Sequence, residues 1–365
     1  MKTAKGAVLT AAGRPFEVRG FPLTSPPEGM AKIRLTASGI CGTDVHIHDG
    51  RLPVQTPVII GHEFIGRVEE ISETDSEKHN IRKDDNVIVY IACPCGECLL
   101  CRSGDDANCV NMGVTNGSNP NTAPHLYGGF AEYNYSPVAN LIRIPPELDP
   151  EMTCVFACAG PTVLHAFSLA ERANSGIEKA DVTVVQGLGP VGFFAVMKLA
   201  SMGVKHIIAL TGRENPYREE LALKFGAARV MSLEKHGMDK IIEYIKALSS
   251  GLGADVVIEA SGNPSAVPQG MDMLRNRGVY LVPGQYSNSG PVEIAPEMIT
   301  FKALHIIGSS QYSLSDVQNY IDFLLKNPHT HSTILSLASR YKVEDINRAF
   351  DDVRAGKNIK TLLTP

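Results

Sequence analysis

The stretch 182–203, VTVVQGLGPVGFFAVMKLASMG, runs from apolar, β-branched residues through three glycines into an amphipathic segment of helical spacing. Gly187, Gly189 and Gly192 form G-x-G-x-x-G between a strand and a helix, the context in which that pattern carries a mechanism. Gly187 permits a tight turn, Gly189 lets backbone approach a pyrophosphate, and Gly192 lets the helix pack on the strand. Leu188, Pro190 and Val191 complete the loop, and the helix N-terminus offers free N–H groups to phosphates. A bare strand–helix turn is the alternative reading. The second strand that follows, HIIAL, argues against it.

Working outward, apolar strand-like runs (VTVVQ, HIIAL, RVMSL, ADVVIEASG, GVYLVPG, HIIGSS) alternate with amphipathic runs such as REELALKFGA, MDKIIEYIKALS and AVPQGMDMLRN. That alternation predicts a doubly wound parallel sheet covered on both faces. Upstream, the first 150 or so residues read as short strands separated by Gly, Pro and Asp, which suggests an antiparallel, barrel-like domain. Downstream lie two helical segments, SDVQNYIDFLLKN and VEDINRAFDDVRAG, and a closing strand, IKTLLTP. This piece is too small for its own core and is expected to pack back on the first domain. The predicted boundaries are 1–158, 159–308 and 309–365.

The second strand of a dinucleotide fold usually ends in an acid for the adenosine ribose. Here HIIAL runs into Thr211, Gly212 and Arg213, with Arg218 close behind. An acid would repel a 2′-phosphate, whereas Arg213 or Arg218 could pair with one. The pattern therefore favours NADP over NAD, although Glu214 in the same loop could still reach a ribose.

Composition excludes several functions. A net charge of -5 and a pI near 6.1 give no footprint for nucleic acid or an anionic membrane. No apolar run approaches the ~20 residues of a membrane span, and the start MKTAKGAVLTAAGRP has no signal-peptide core. A soluble, cytoplasmic protein is expected.

Five of the eight cysteines fall between Cys93 and Cys109. Cys95, Cys98, Cys101 and Cys109, at C-x2-C-x2-C-x7-C, could close a tetrahedral structural zinc site. Cys93 is out of register and is assigned to packing. SGICGTDVHIHDG (38–50) supplies Cys41, VIIGHEFIGRV supplies His62 followed by Glu63, and TCVFACAGPTVLHAF supplies Cys158 followed by Thr162. Cys41, His62 and Cys158 would make a two-thiolate, one-imidazole zinc site with a fourth position open to water or a substrate oxygen.

Taken together, GICGTDVH, GHEFIGRV, CGECLLCRSGDDANC, GGFAEY, QGLGPVG and IKTLLTP resemble the zinc-containing alcohol dehydrogenases of the medium-chain dehydrogenase/reductase family, over essentially the whole chain. The resemblance implies a GroES-like catalytic domain, with its structural zinc lobe at 93–109, beside a Rossmann domain. It implies two zinc ions per chain, an NAD(P) cofactor, a small alcohol or carbonyl substrate, and a homodimer or homotetramer. Cys41, His62 and Cys158 resemble the catalytic zinc ligands, and Glu63 the second-sphere acid that can swing onto the metal. Thr43 stands where the family has its relay hydroxyl, and His46 where an imidazole passes the proton to water. Thr162 falls at the nicotinamide contact and Lys360 at a basic position that often meets the pyrophosphate. One departure concerns Cys158: the polyol and threonine branches usually have an acid there, which directs attention to secondary or cyclic alcohols. The rival readings are a zinc-free enone or quinone reductase on the same fold and a non-enzymatic nucleotide-binding protein. Neither needs Thr43 and His46 alongside three metal ligands.

Overall fold

A computed structural model of the chain describes residues 2–286 and 288–365. The chain divides into two compact units, Met1–Cys158 with Ser313–Pro365, and Ala159–Tyr312.

The first unit is built on the long strand Met30–Ile40. Its N-terminal half pairs with Tyr133–Pro137, its length with Glu63–Glu70, and its last residues with Lys360–Thr364, all antiparallel. Sheet order across this unit places Ala338–Lys342 at one edge, parallel to Lys360–Thr364, and Leu141–Arg143 at the other. Strand 30–40 is almost wholly buried because both its faces are used. One apolar cluster gathers Leu9, Phe16, Ile59, Phe130 and Phe350, and another gathers Ile33, Leu35, Phe64, Val68 and Val87. The C-terminal segment thus completes the sheet of the first unit.

The second unit is a six-stranded parallel sheet in the order Arg229–Ser232, His206–Thr211, Val182–Gln186, Ala254–Glu259, Leu274–Val282, His305–Gly308. Numbered by appearance this is 3-2-1-4-5-6, the doubly wound dinucleotide order. Every residue of Val182–Gln186 is buried, as expected for a central strand covered on both faces. The crossover segments include helices Pro190–Ser201, Pro216–Lys224, Leu233–Leu248 and Ala266–Met273.

One segment differs from the sequence pattern. AVPQGMDMLRN reads as a single helix, but the helix ends at Met273 and Leu274 opens the next strand. The reason is a side-chain cap: the Lys302 ammonium donates to the carbonyls of Met271, Asp272 and Leu274, satisfying the groups another turn would have used. Among the described residues no helix is long and apolar enough to cross a membrane.

Candidate active site

Strand 30–40 delivers Cys41 at its end, where the chain turns into helix Gly42–His48. Asp44, at the third helical position, accepts from the Cys41 backbone N–H at 2.9 Å, so the turn that presents the thiol is fixed by its own cap. The other Asp44 oxygen lies 3.0 Å from His62 Nδ1. Asp44 is fully buried. A carboxylate on Nδ1 holds the proton there and leaves Nε2 free as a metal ligand. Nothing in the sequence pattern singled out Asp44. The available signal was its place three residues after a candidate ligand, at a helix start.

His62 and Glu63 sit at the beginning of strand Glu63–Glu70, in register with Gly39 on the neighbouring strand. Cys158 follows the short helix Pro150–Val155. Donor atoms of Cys41, His62, Glu63 and Cys158 all lie within 4.8 Å of one another. Two thiols, an imidazole of fixed tautomer and a carboxyl in that volume fit a zinc ion with three protein ligands and a fourth position to spare. A hydrogen bond between the two thiols holds Cys41 well below, and Cys158 well above, the ordinary cysteine range. Burial works to lower His62, but the Asp44 carboxylate outweighs it and holds the imidazole well above its usual value.

Lys360 is where the structure departs from the resemblance. Expected at a pyrophosphate, it is only 2% exposed and its ammonium is paired with Glu63. The pairing follows from register: Gly39 lies between Glu63 on one side and the start of the C-terminal strand on the other. A Cβ at Gly39 would stand 2.2 Å from Glu63 Oε2 and 2.9 Å from Lys360 Nζ, so only glycine leaves room for the ion pair. Burial raises Glu63 to about 7 despite the opposing pull of Lys360. Buried Cys154 donates its thiol to the Glu63 carbonyl at 3.4 Å.

Thr43 and His46 fall three residues apart on helix Gly42–His48, both half-buried. His46 Nδ1 is buried without a hydrogen-bond partner among the described residues. Burial, then the Arg51 charge, lowers the His46 pKa below its usual 6.5.

The cysteine lobe forms a separate cluster. Cys95, Cys98, Cys101 and Cys109 place their sulfurs within 4.8 Å of one another, with two of the separations at 4.0 Å. Zinc–sulfur bonds of ~2.3 Å in a tetrahedron space the sulfurs roughly 3.8 Å apart, so the quartet fits zinc closely. Backbone N–H groups of Cys95, Cys98, Cys101 and Asn111 point at these sulfurs, and those of Cys101 and Val110 lower Cys98 to about 6. Cys93 stays outside the quartet, beside Asn140.

In the second unit the three loop glycines differ in their surroundings. Gly187 has φ +97°, and a Cβ there would meet the Ser261 backbone at 2.8 Å; at Gly192 it would meet the Gly187 carbonyl at 1.9 Å. At Gly189 it would meet nothing within 4 Å, which leaves the loop open where a pyrophosphate would approach. Pro190 and Val191 open helix Pro190–Ser201, and its N-cap is Gly189, which makes no side-chain cap hydrogen bond. In this unit Thr211 Oγ1, Glu259 Oε2, Gln285 Nε2 and Ser309 Oγ are among the buried polar atoms with no hydrogen-bond partner among the described residues. Each lies at or just beyond the C-terminal end of a sheet strand. That is the end at which open α/β sheets take their ligands, and the orphaned groups fit a polar dinucleotide.

The arginines differ from each other. Arg218 is partly buried and donates to the Leu188 carbonyl inside the glycine loop, whereas Arg213, beyond Thr211 and Gly212, is exposed. Glu214 is engaged by Lys235 at 2.6 Å, a partner the sequence reading missed. Thr162 lies half-buried in the first turn of helix Ala159–Arg172.

Comparison with known proteins agrees with this chemistry. Residues 27–146 match the family described as "Alcohol dehydrogenase GroES-like domain", and residues 190–326 match "Zinc-binding dehydrogenase". The chain is 30% identical to the L-threonine 3-dehydrogenase of Bacillus subtilis, over 99% of this chain and 96% of the relative. It is 29% identical to the 5-exo-hydroxycamphor dehydrogenase of Pseudomonas putida, over 100% and 99%. An alcohol dehydrogenase structure from Thermotoga maritima superposes with a TM-score of 0.90 at 26% identity, covering the whole of both chains. With a zinc-fitting donor cluster in one unit and a dinucleotide loop in the other, the chain belongs to the zinc-containing alcohol dehydrogenases of the medium-chain dehydrogenase/reductase family, oxidoreductases that pass hydride between an alcohol and NAD(P).

Proposed function

We propose that this enzyme interconverts a secondary or cyclic alcohol and its ketone, preferring NADP to NAD, with one catalytic and one structural zinc ion per chain. The convergence of Cys41, His62, Glu63 and Cys158, with Asp44 fixing the imidazole, is the observation that carries the reading. Cys158, where the polyol and threonine branches usually have an acid, directs the substrate away from those classes. The relative named for 5-exo-hydroxycamphor supports that direction.

A bound zinc would supply polarisation of the substrate oxygen, and a bound nicotinamide the hydride exchange. The chain's own residues handle the proton. Thr43 Oγ1 takes it from the alcohol as it gives up its own, and His46, one helical turn on, passes a proton to water. The Glu63–Lys360 pair balances charge beside the metal, and Cys95, Cys98, Cys101 and Cys109 hold the second zinc. In the other unit Gly187–Gly192 cradle the pyrophosphate, Thr162 meets the nicotinamide, and Arg213 faces a 2′-phosphate. We read residues 159–308 as the nucleotide domain and 309–365 as the segment that completes the catalytic one. The enzyme is assigned to the cytoplasm as a homodimer or homotetramer.

Metal analysis of freshly purified protein, with a panel of alcohols and ketones assayed against both cofactors, tests the reading. Two zinc equivalents and turnover of secondary alcohols, faster with NADP, are expected. Protein free of zinc would overturn the mechanism, turnover of primary alcohols alone would overturn the substrate class, and selective turnover of threonine or a linear polyol would overturn the inference drawn from Cys158.

A further inference from the structure

At the end of the fourth sheet position, Ala254–Glu259, a carboxyl group is sealed inside the second unit. Glu259 is 0% exposed. Its Oε1 accepts three hydrogen bonds from one turn: from Ser261 N–H at 2.8 Å, Ser261 Oγ at 2.5 Å and Gly262 N–H at 3.0 Å. Its Oε2 has no hydrogen-bond partner among the described residues. Burying a carboxyl with one oxygen unsatisfied costs free energy that a smaller polar residue would not incur. The question is what the clamped turn provides.

The turn lies against the glycine-rich loop. A Cβ on Gly187 would stand 2.8 Å from Ser261 Cα and 3.0 Å from the Ala260 carbonyl, so Ala260 and Ser261 fill the space a side chain at Gly187 would occupy. Ala260 N–H also donates to the Gln186 carbonyl at 2.9 Å, immediately before Gly187. On the other side Oε2 abuts Gly284, where a Cβ would stand 2.4 Å away. The carboxyl therefore joins the ends of three neighbouring strands at the ligand-binding edge of the sheet.

We propose that Glu259 is a positioning residue for the dinucleotide: by clamping Ser261 and Gly262 it holds the Ala260–Ser261 backbone against Gly187 and so fixes the loop that receives the pyrophosphate. This rests on the reading of Gly187–Gly192 as the nucleotide loop. Removing the carboxyl frees three donors and lets the 260–262 turn leave Gly187, so the loop must be ordered at the moment of binding. Nucleotide affinity falls, while turnover once the nucleotide is bound changes little.

The test is fluorescence titration of zinc-loaded protein with NADH and NADPH, for wild type, Glu259→Gln, Glu259→Ala and Gly284→Ala, with melting temperature and steady-state kinetics in parallel. Glu259→Ala should raise the nucleotide Kd roughly tenfold or more. Gly284→Ala should do the same without altering Glu259, since its methyl displaces Oε2. Glu259→Gln keeps an acceptor for the turn and should recover part of the loss. At saturating nucleotide, kcat should stay within about twofold of wild type. Lower melting temperatures with an unchanged nucleotide Kd would show that the clamp serves only the fold and would overturn the proposal. If Glu259→Ala does not fold, Glu259→Gln and Ser261→Ala decide, and wild-type Kd in both overturns it. A wild type that binds neither reduced nucleotide would refute the loop reading itself, and the proposal with it.

Discussion

Replacing Asp44 by Asn isolates the buried carboxylate from its charge while keeping its shape. Asp44 accepts on both sides, from the Cys41 N–H at 2.9 Å and from His62 Nδ1 at 3.0 Å. An amide offers one acceptor and one donor. If Asn keeps its oxygen on His62, its NH2 faces the Cys41 N–H, two donors with no acceptor. If it turns over, the NH2 donates to Nδ1, moves the proton to Nε2 and removes the lone pair a metal needs. The first arrangement orphans a buried donor, and the second keeps both hydrogen bonds at the expense of the metal-binding lone pair. Asp44 is 0% exposed, so water does not soften the loss. One orphaned buried donor costs about 1–3 kcal/mol, which at 1.4 kcal/mol per decade is roughly ten- to a hundredfold in zinc affinity. Competition against a chromogenic chelator should show one zinc equivalent leaving D44N that much more readily, with the other unaffected. Wild-type release kinetics, together with wild-type turnover, would show that Asp44 does not orient His62.

Cys98→Ser should remove the less labile zinc and lower Tm by on the order of 10 °C, because a closed structural site contributes folding free energy directly; metal content and calorimetry check this. His46, whose pKa lies below 6.5, is neutral and able to accept a proton at neutral pH and loses that ability as pH falls through its pKa. Wild-type alcohol oxidation should therefore decline only below the ordinary imidazole range. His46→Ala should cost roughly tenfold or more between that pKa and pH 7, with partial rescue by imidazole buffers, and an unchanged pH–rate profile removes it from the relay. Arg213→Ala should reduce the NADP preference by roughly two- to fivefold, the low end suited to an exposed cation, as read from kcat/KM with both cofactors.

What the sequence disclosed depended on how locally each feature is encoded. The glycine loop was legible because its turn, cap and helix occupy one continuous run, and the cysteine lobe because its ligands lie within fifteen residues. Cys41, His62 and Cys158 could be grouped by donor type, and their atoms do meet. Asp44 was not legible, since an aspartate at a helix start usually needs no explanation beyond capping. The Glu63–Lys360 pair was out of reach because its members are 297 residues apart and meet only through the register of the sheet. The clamp at Glu259 was hidden for a similar reason: its own turn is local, but the contact with Gly187 depends on strand order.

The insertion of Lys360–Thr364 beside strand 30–40 also sets a schedule for biosynthesis. The parallel sheet is encoded by an uninterrupted run and has all its strands by the time Gly308 leaves the ribosome. The metal-binding unit must wait for Lys360–Thr364, more than fifty residues later. Until then strand 30–40 shows an unpaired edge and Glu63 is a buried acid without its counter-charge, both features that favour aggregation or chaperone capture. Production of active enzyme is therefore governed by the arrival of Lys360–Thr364: a chain truncated before Lys360 should retain the dinucleotide sheet and lose the zinc centre.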